Sequence, residues 1–392
     1  MSFKDVRIVD LTRVISGPFC TALLADLGAE VIKVEPKEQG DPVREQGVMV
    51  GGMSSYFANY NRNKRSIALD LYSPEGKQVL ADLLAQADVL VENFRPDVLG
   101  KMGFAPERLK AINPALIHCN INGFGIDGPY ADRPAFDFIV QAMSGFMSCN
   151  GRAEDPPMRS GVPIADLVCG LYAALGIAAA LHGRDERTES STLSVSMLAS
   201  LMSMLSFHGT NFLNSGVAAP RTGNDHALVA PYGLFATADG EIAIAPSNEA
   251  VYQKLVKALG LEKLLTDSAF ATNEARTARR LEINALIEAR TREASTEHWI
   301  EVLNKAGIPS GPVYGLDRAF DDPQVRSQDI VVETTRPGEE PILILGSPIR
   351  HGGMEAGPSL PPPRLGEHTE ALLREVGYDE DRIGALRTKG VI

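Results

Sequence analysis

The first 120 residues alternate short runs of aliphatic and β-branched residues with amphipathic stretches of helical length. Val6-Arg-Ile-Val-Asp-Leu11 reads as a strand. Gly17-Pro18 opens a helix through Asp26, with proline at its tolerated first position, and Gly28 closes it. Ala29-Glu-Val-Ile-Lys-Val-Glu35 is a second strand, so the unit is βαβ and implies parallel strands with a right-handed crossover. The pattern recurs in a strand over 66–71, a helix from Ser73-Pro74 through Leu84, and strands over 89–93 and 116–121. Helical stretches follow over 138–147, from Asp166 onward, and over 195–212. The alternation predicts an α/β fold whose large domain is a doubly wound parallel sheet.

The texture changes after about residue 220. Tyr232–Thr237 and Glu241–Ala245, joined by Ala238-Asp239-Gly240, form a hairpin pattern, and amphipathic segments at 249–259, 277–290 and 296–306 follow. The Pro/Gly-rich Ile308-Pro-Ser-Gly-Pro-Val313 ends this smaller α+β domain, and Thr369 is placed to cap a last short helix. The expected division is a large domain over 1–200, a linker over 201–225, a small domain over 226–309, a second linker over 310–330, and a C-terminal part over 331–392 that returns to the large domain.

One carboxylate stands out against this pattern. Asp166 opens a run from Leu167 to Leu181 that carries no charge. At a helix start it meets unpaired backbone N–H groups and the positive end of the helix dipole, both of which favour the ionised form. It is a helix cap or a covalent carboxylate nucleophile, and the two roles are compatible.

Composition narrows the partners. At 392 residues the chain exceeds what one core of about 300 residues holds, in line with two domains. A net charge of −12 argues against nucleic acid and basic membrane-surface roles. The run after Asp166 is shorter than the roughly 20 apolar residues of a membrane span, and the N-terminus leads directly into a strand pattern. The expectation is a cytoplasmic protein. Cys20, Cys119, Cys149 and Cys169 lie scattered in apolar stretches, as reduced thiols do, and no metal site is expected.

Gly123-Phe-Gly125-Ile-Asp-Gly128 follows a strand in the spacing of a dinucleotide loop. Pro129 and Arg133-Pro134 prevent a helix from starting where a pyrophosphate would sit, so it reads as a glycine-rich turn. No P-loop, zinc-protease or nucleophile-elbow motif occurs. Arg62, Lys64 and Arg65 form the most basic stretch, which reads as a solvated charge run or a phosphate contact. Glu92-Asn-Phe-Arg95 follows a strand at the edge where open α/β sheets bind ligands; Phe94 packs or stacks on a base there, and Arg95 is within local reach of Glu92. His118 lies in an apolar strand and reads as a satisfied core residue.

Five segments occur in order: Val9-Asp-Leu through Ser16-Gly-Pro-Phe19; Gly28 through Glu35; Asn63-Lys-Arg-Ser through Asp70; Val91-Glu-Asn-Phe-Arg-Pro96 with Met102-Gly-Phe104; and Gly123 through Pro129. With Ile308–Val313 and Leu365-Gly-Glu-His-Thr369 they cover nearly the whole chain, which resembles the class III CoA-transferase family of formyl-CoA transferase, carnitine CoA-transferase and α-methylacyl-CoA racemase.

The resemblance implies an interlocked homodimer with the active site between large and small domains. Coenzyme A or an acyl-CoA is the substrate, and no cofactor is tightly bound. The family's nucleophilic Asp falls on Asp166, which attacks the thioester to give a mixed anhydride and then an aspartyl-CoA thioester. CoA-binding positions fall on Val14, Leu69, Asn93, Phe94, Arg95 and Lys101. Pro36 replaces a CoA-contacting Arg, a role left to Lys37 or Arg44. Ile15, Phe136 and Asp137 fall on the acyl and acceptor side, and His226, at the entry to the small domain, either bonds the second carboxylate of a dicarboxylic acceptor or is a structural loop histidine. Ile15 stands in place of an active-site Gln, and a tetraglycine loop is missing, which argues against oxalate or formate. Phe136 occupies the His position of the racemase branch, which argues against two-base epimerisation. The expected acceptor is a short dicarboxylate such as itaconate, mesaconate, citramalate or hydroxymethylglutarate. The alternatives are a racemase and a non-catalytic CoA-binding protein.

Overall fold

The computed structural model describes residues 3–183, 191–350 and 360–392. The chain divides into two compact units. The first takes its described residues from Met1–Ser144, Ser160–Leu205 and Pro323–Ile392; the second comprises Gly145–Arg159 and Ser206–Asp322.

The first unit is built on a six-stranded sheet. Its elements in order are β1 (Arg7–Asp10), α1 (Ser16–Asp26), β2 (Glu30–Pro36), α2 (Ser55–Asn61), β3 (Lys64–Leu69), α3 (Pro74–Leu84), β4 (Val89–Glu92), β5 (Ile117–Asn122), α4 (Asp137–Met143), α5 (Ile164–His182), β6 (Ser191–Ser196) and α6 (Met197–Ser203). The strand order is β3-β2-β1-β4-β5-β6 and every pairing is parallel. The order reverses between β1 and β4, which is where doubly wound sheets open a crevice at their carboxyl edge. Val9, Ile32, Ile67 and Leu90 on one face pack against Leu80 and Leu84 of α3 and against Leu372, Leu373 and Ile383 near the C-terminus. On the other side α1 packs on α5. Gly170 permits that approach: a Cβ there would stand 2.7 Å from the Ser16 carbonyl oxygen.

α5 has 19 residues and is apolar enough to span a membrane, longer than its sequence run suggested, but half of that span is buried within the chain. Ala165, Cys169, Ala173 and Ile177 form its buried face. On that face its lack of charge reflects packing against protein, whereas Leu171, Tyr172 and Leu175 on the opposite face are exposed.

Three sequence expectations fail here for identifiable reasons. The helical stretch expected over 195–212 is helical but broken in two, α6 and, in the second unit, α7 (Ser206–Ser215), and its first two residues end β6. Ser191-Thr-Leu-Ser-Val-Ser is an edge strand with few apolar residues, so its alternation is faint. The helix expected over 138–147 stops at Met143, before Gly145 at φ +85°. Segments read as linkers hold helices, α7 among them.

The second unit holds a three-stranded antiparallel sheet, β7 (Gly233–Ala236), β8 (Glu241–Ile244) and β9 (Ser310–Pro312), in the order β9-β8-β7. Helices α8 (Glu249–Ala258), α9 (Arg280–Thr291) and α10 (Thr296–Lys305) surround a core of Phe235, Ile242, Tyr252, Ile287, Trp299 and Leu303. The Pro/Gly-rich 308–313 stretch contributes β9, with Pro312 tolerated because the strand is an edge.

Back in the first unit, the hairpin β10 (Val331–Thr334) and β11 (Ile342–Leu345) packs on α2, and two helices follow, α11 (Thr369–Glu375) and α12 (Glu380–Thr388). Thr369 does not cap α11. Its hydroxyl accepts the Ala68 N–H at 3.1 Å, tying the helix to β3.

Candidate active site

The loops after β1 and β4 leave the carboxyl edge where the strand order reverses. Asn93 ties them together: its amide oxygen accepts the Arg13 N–H at 3.0 Å and its amide nitrogen donates to the Arg13 carbonyl at 2.8 Å. Below lies a set of fully buried charges. Lys64 donates to Asp10 at 3.0 Å, to the Pro18 carbonyl at 3.0 Å and to Asn61 at 2.9 Å. Lys33 donates to Asp41 and to the Thr12 carbonyl, each at 2.9 Å. Burial alone would raise the Asp10 carboxyl, but Lys64, Lys33 and the hydroxyls of Thr12 and Thr21 outweigh it and hold it at about 2. Burial lowers the Lys64 ammonium to about 8 despite Asp10.

The basic stretch is therefore neither a solvated run nor a phosphate contact. Lys64 is buried, Arg62 pairs with Asp26 at 2.5 Å, and Arg65 bridges Glu30 and Glu375 at 2.7 Å each. The pairing partners come from distant parts of the chain, which local charge spacing cannot reveal.

Asp166 stands in the first turn of α5 but is not its cap. The helix begins at Ile164, the capping position is Pro163, and the N–H of Ala165 is taken at 2.8 Å by Asp137 from α4. The second Asp137 oxygen accepts from Gln141 at 2.6 Å, and the Gln141 oxygen accepts the Ser160 N–H at 2.8 Å. Asp166 is half-buried, and its carboxyl is pushed up to about 7, first by burial, then by the Asp137 charge, against a hydrogen bond from the Ser16 hydroxyl. The expectation of a firmly ionised Asp166 is thus corrected. Desolvation and a neighbouring like charge exceed what the helix end supplies.

Sequence reasoning missed three side chains beside this carboxylate. Ser16 is the first residue of α1. Tyr56 and Tyr60 lie one turn apart on α2, and both phenols are raised by burial and by the Asp166 charge, Tyr56 to about 12. Both remain hydrogen-bond donors at neutral pH. Their spacing of four on a short helix was the available signal.

The expected CoA-binding positions are mixed in their freedom. Arg95 and Lys101 are exposed. Glu92 does not pair with Arg95; its carboxylate takes the Phe94 N–H at 2.8 Å, Asn120 at 2.5 Å and His118 at 3.2 Å. Phe94 packs against the core, with the Arg13 guanidinium 5.9 Å from its ring. Leu69 is buried in the core, so its side chain offers nothing to a ligand. Arg44 is spent on Glu35, on the Pro363 carbonyl and on the Phe57 ring, and Lys37 donates to the Gly390 carbonyl. Val14 has φ +71°, rare for a β-branched residue, and Ile15 is buried next to it. Phe136 is exposed, directly before Asp137.

Gly123–Gly128 forms a turn with no helix after it until Asp137. A Cβ at Gly123 would stand 2.2 Å from that of Ala135. In the second unit His226 lies between Phe207 and Tyr232, with ring centroids 5.4 and 5.0 Å away. Its Nδ1 accepts the Leu228 N–H at 3.1 Å, and burial with nearby Arg280 lowers its pKa. The structure makes it an anchor of its own loop. The four cysteines are free thiols, and among the described residues no group of three or more His, Cys, Asp or Glu is placed to hold a metal.

A carboxylate held near neutrality beside protonated phenols, at the reversal point of a parallel sheet, defines an α/β enzyme equipped for carboxylate chemistry. The sequence profile of CoA-transferase family III matches residues 3–369. The succinyl-CoA:glutarate CoA-transferase of Homo sapiens is 37% identical over 99% of this chain and 89% of its own length. The acetyl-CoA:oxalate CoA-transferase of Acetobacter aceti is 35% identical, over 96% of each chain. A CAIB/BAIF family protein from Brucella suis superposes with TM-score 0.83 at 37% identity, covering 95% of this chain and 98% of that one. The chain belongs to CoA-transferase family III and is a CoA-transferase.

Proposed function

We propose that this enzyme transfers CoA from succinyl-CoA to a second short dicarboxylic acid, five-carbon acids such as glutarate and itaconate foremost, through a covalent intermediate on Asp166. The observation that carries the reading is the half-buried Asp166 carboxylate, poised near pH 7 beside Ser16, Tyr56 and Tyr60, in a chain similar over its whole length to a succinyl-CoA:glutarate CoA-transferase.

In the ionised form, an Asp166 oxygen attacks the thioester carbon and the C–S bond breaks, giving a mixed anhydride and CoA thiolate. The thiolate attacks the Asp166 carbonyl, releasing succinate and leaving an aspartyl-CoA thioester. The acceptor carboxylate repeats the sequence in reverse, so Asp166 is regenerated and no proton is consumed. The like charge of Asp137 raises the energy of the resting carboxylate, which is relieved when Asp166 becomes a neutral anhydride or thioester. The phenols of Tyr56 and Tyr60 and the Ser16 hydroxyl are donors for the oxyanions formed on the way. Arg95, Lys101 and the loop carrying Phe94 meet the nucleotide end of CoA. Phe136 has no titratable group, so the His–Asp pair of an epimerase has no counterpart there.

A second copy of the chain completes the reading. Leu175 on α5 is 65% exposed and Leu213 on α7 is 80% exposed, apolar surface of the kind homodimers cover. Incubation with succinyl-CoA and a panel of dicarboxylic acids, followed by mass spectrometry of the CoA thioesters, tests the activity. Formation of glutaryl- or itaconyl-CoA is expected, and no new thioester with any acid would overturn the proposal.

A further inference from the structure

The turn between β1 and α1 is held residue by residue. Thr12 donates its N–H to Asp10 at 2.8 Å, and its carbonyl accepts from Lys33 at 2.9 Å. Arg13 is clamped on both backbone groups by Asn93. Val14 donates its N–H to the two Asp41 oxygens at 3.1 and 3.3 Å. Asp41 is fixed in turn by Lys33 at 2.9 Å, with both side chains fully buried, and its own N–H donates to Glu35 at 3.0 Å.

Two features of this wiring are unfavourable in isolation. Val14 sits at φ +71°, where a β-branched side chain is strained and persists only if its surroundings over-determine it. An ion pair with no exposed atoms must offset the desolvation of both charges, and well-packed apolar residues would stabilise the fold as well. Apolar residues cannot accept the Val14 N–H or donate to the Thr12 carbonyl. The pair therefore does something packing cannot: it keeps the chain in its left-handed turn. Two residues later α1 begins at Ser16, on the helix that packs against α5 and its Asp166.

We propose that Asp41 and Lys33 are positioning residues of the active site, their buried ion pair holding Val14 in the left-handed conformation and so fixing Ser16 against Asp166. Neither side chain touches the reacting atoms. The inference rests on Asp166 being the nucleophile.

The test measures the rate at which succinyl-CoA forms a hydroxylamine-trapped adduct, mapped by peptide mass spectrometry, in wild type, Asp41→Asn, Val14→Gly, Ser16→Ala and the doubles. Asp41→Asn is expected to slow adduct formation at Asp166 about tenfold or more with KM for succinyl-CoA changed less than about twofold, the signature of lost positioning. Glycine takes positive φ without strain, so in the V14G background D41N should slow the reaction less than about threefold. Adding S16A to D41N should cost nothing further, because both act through the same hydroxyl. A wild-type rate in D41N, an equal loss in the Val14→Gly background, or multiplying losses with Ser16→Ala would overturn the inference. If D41N alone is insoluble, a soluble and active V14G/D41N double supports it and an insoluble double overturns it. An adduct on another residue would instead overturn the assignment of Asp166.

Discussion

The Asp137 carboxylate accepts the backbone N–H of Ala165 at 2.8 Å, so the start of α5 is capped from a different helix. Asp166, one residue further on, is relieved of the capping role that its position in the sequence suggests. The residue that does the capping also brings a second negative charge to the nucleophile's side.

That charge gives a pH prediction. With the Asp166 carboxyl at about 7, the rate of adduct formation from limiting succinyl-CoA should fall on the acid side with a midpoint near pH 7. Asp137→Asn keeps an oxygen for the Ala165 N–H and removes the charge, so the midpoint should move to lower pH. A pH–rate profile of the donor half-reaction checks this; an unmoved midpoint would remove Asp137 as a cause.

Stability should carry the same signature with a definite sign. The folded carboxyl near 7 lies above the unfolded value of about 3.9, so the native state binds more protons between those pH values. Stability from this group is present at low pH and is lost as pH rises from about 4 to 7. Asp166→Asn should therefore stabilise the protein at pH 8, by roughly 1–3 kcal/mol once solvent screening is allowed for, and hardly at all at pH 4.5. Urea unfolding at the two pH values measures the difference.

The pair Lys64–Asp10 is fully buried. Lys64→Met leaves Asp10 charged without its main partner, and a loss of about 3–5 kcal/mol is expected. Replacing both, as Asp10→Leu with Lys64→Met, should recover part of it, though the Thr12 N–H and hydroxyl would lose their acceptor and the Thr21 hydroxyl would keep only the Gly17 and Pro18 carbonyls. A double-mutant cycle by denaturant unfolding resolves the coupling.

Gly170→Ala tests the contact between α1 and α5. The added methyl would meet the Ser16 carbonyl at 2.7 Å, so the helices must part, at about 1–3 kcal/mol. The same displacement takes Ser16 away from Asp166, so kcat should fall while KM for succinyl-CoA holds. Thermal unfolding and steady-state kinetics together check it, and a kcat equal to wild type would dissociate the contact from catalysis.

Much of the first unit was legible from residue order. The strands near 6–11, 29–35, 66–71, 89–93 and 116–121 are marked by aliphatic runs bounded by Gly, Pro and Asn, and they appear within about two residues of those limits. β6 was not legible, because an edge strand of mostly Ser and Thr lacks an apolar face to announce it. The turn at Gly123 was legible because Pro129 and Pro134 restrict the backbone locally.

What the sequence by itself determined is what depends on neighbouring residues: the alternation of strand and helix, the glycine turn, the uncharged helix behind Asp166, and the ordered motifs of the family. What only the tertiary structure decided is what depends on residues distant along the chain. Arg62, Lys64 and Arg65 look like a surface charge run, yet their partners Asp26, Asp10, Glu30 and Glu375 bury or neutralise them. Asp166 looks ionised from its helix end alone, yet burial and Asp137 lift its carboxyl to about 7. The physical reason is the same in both cases: a helix end or a cluster of cations acts within a turn of chain, whereas desolvation and charge pairing are set by whatever the fold packs alongside.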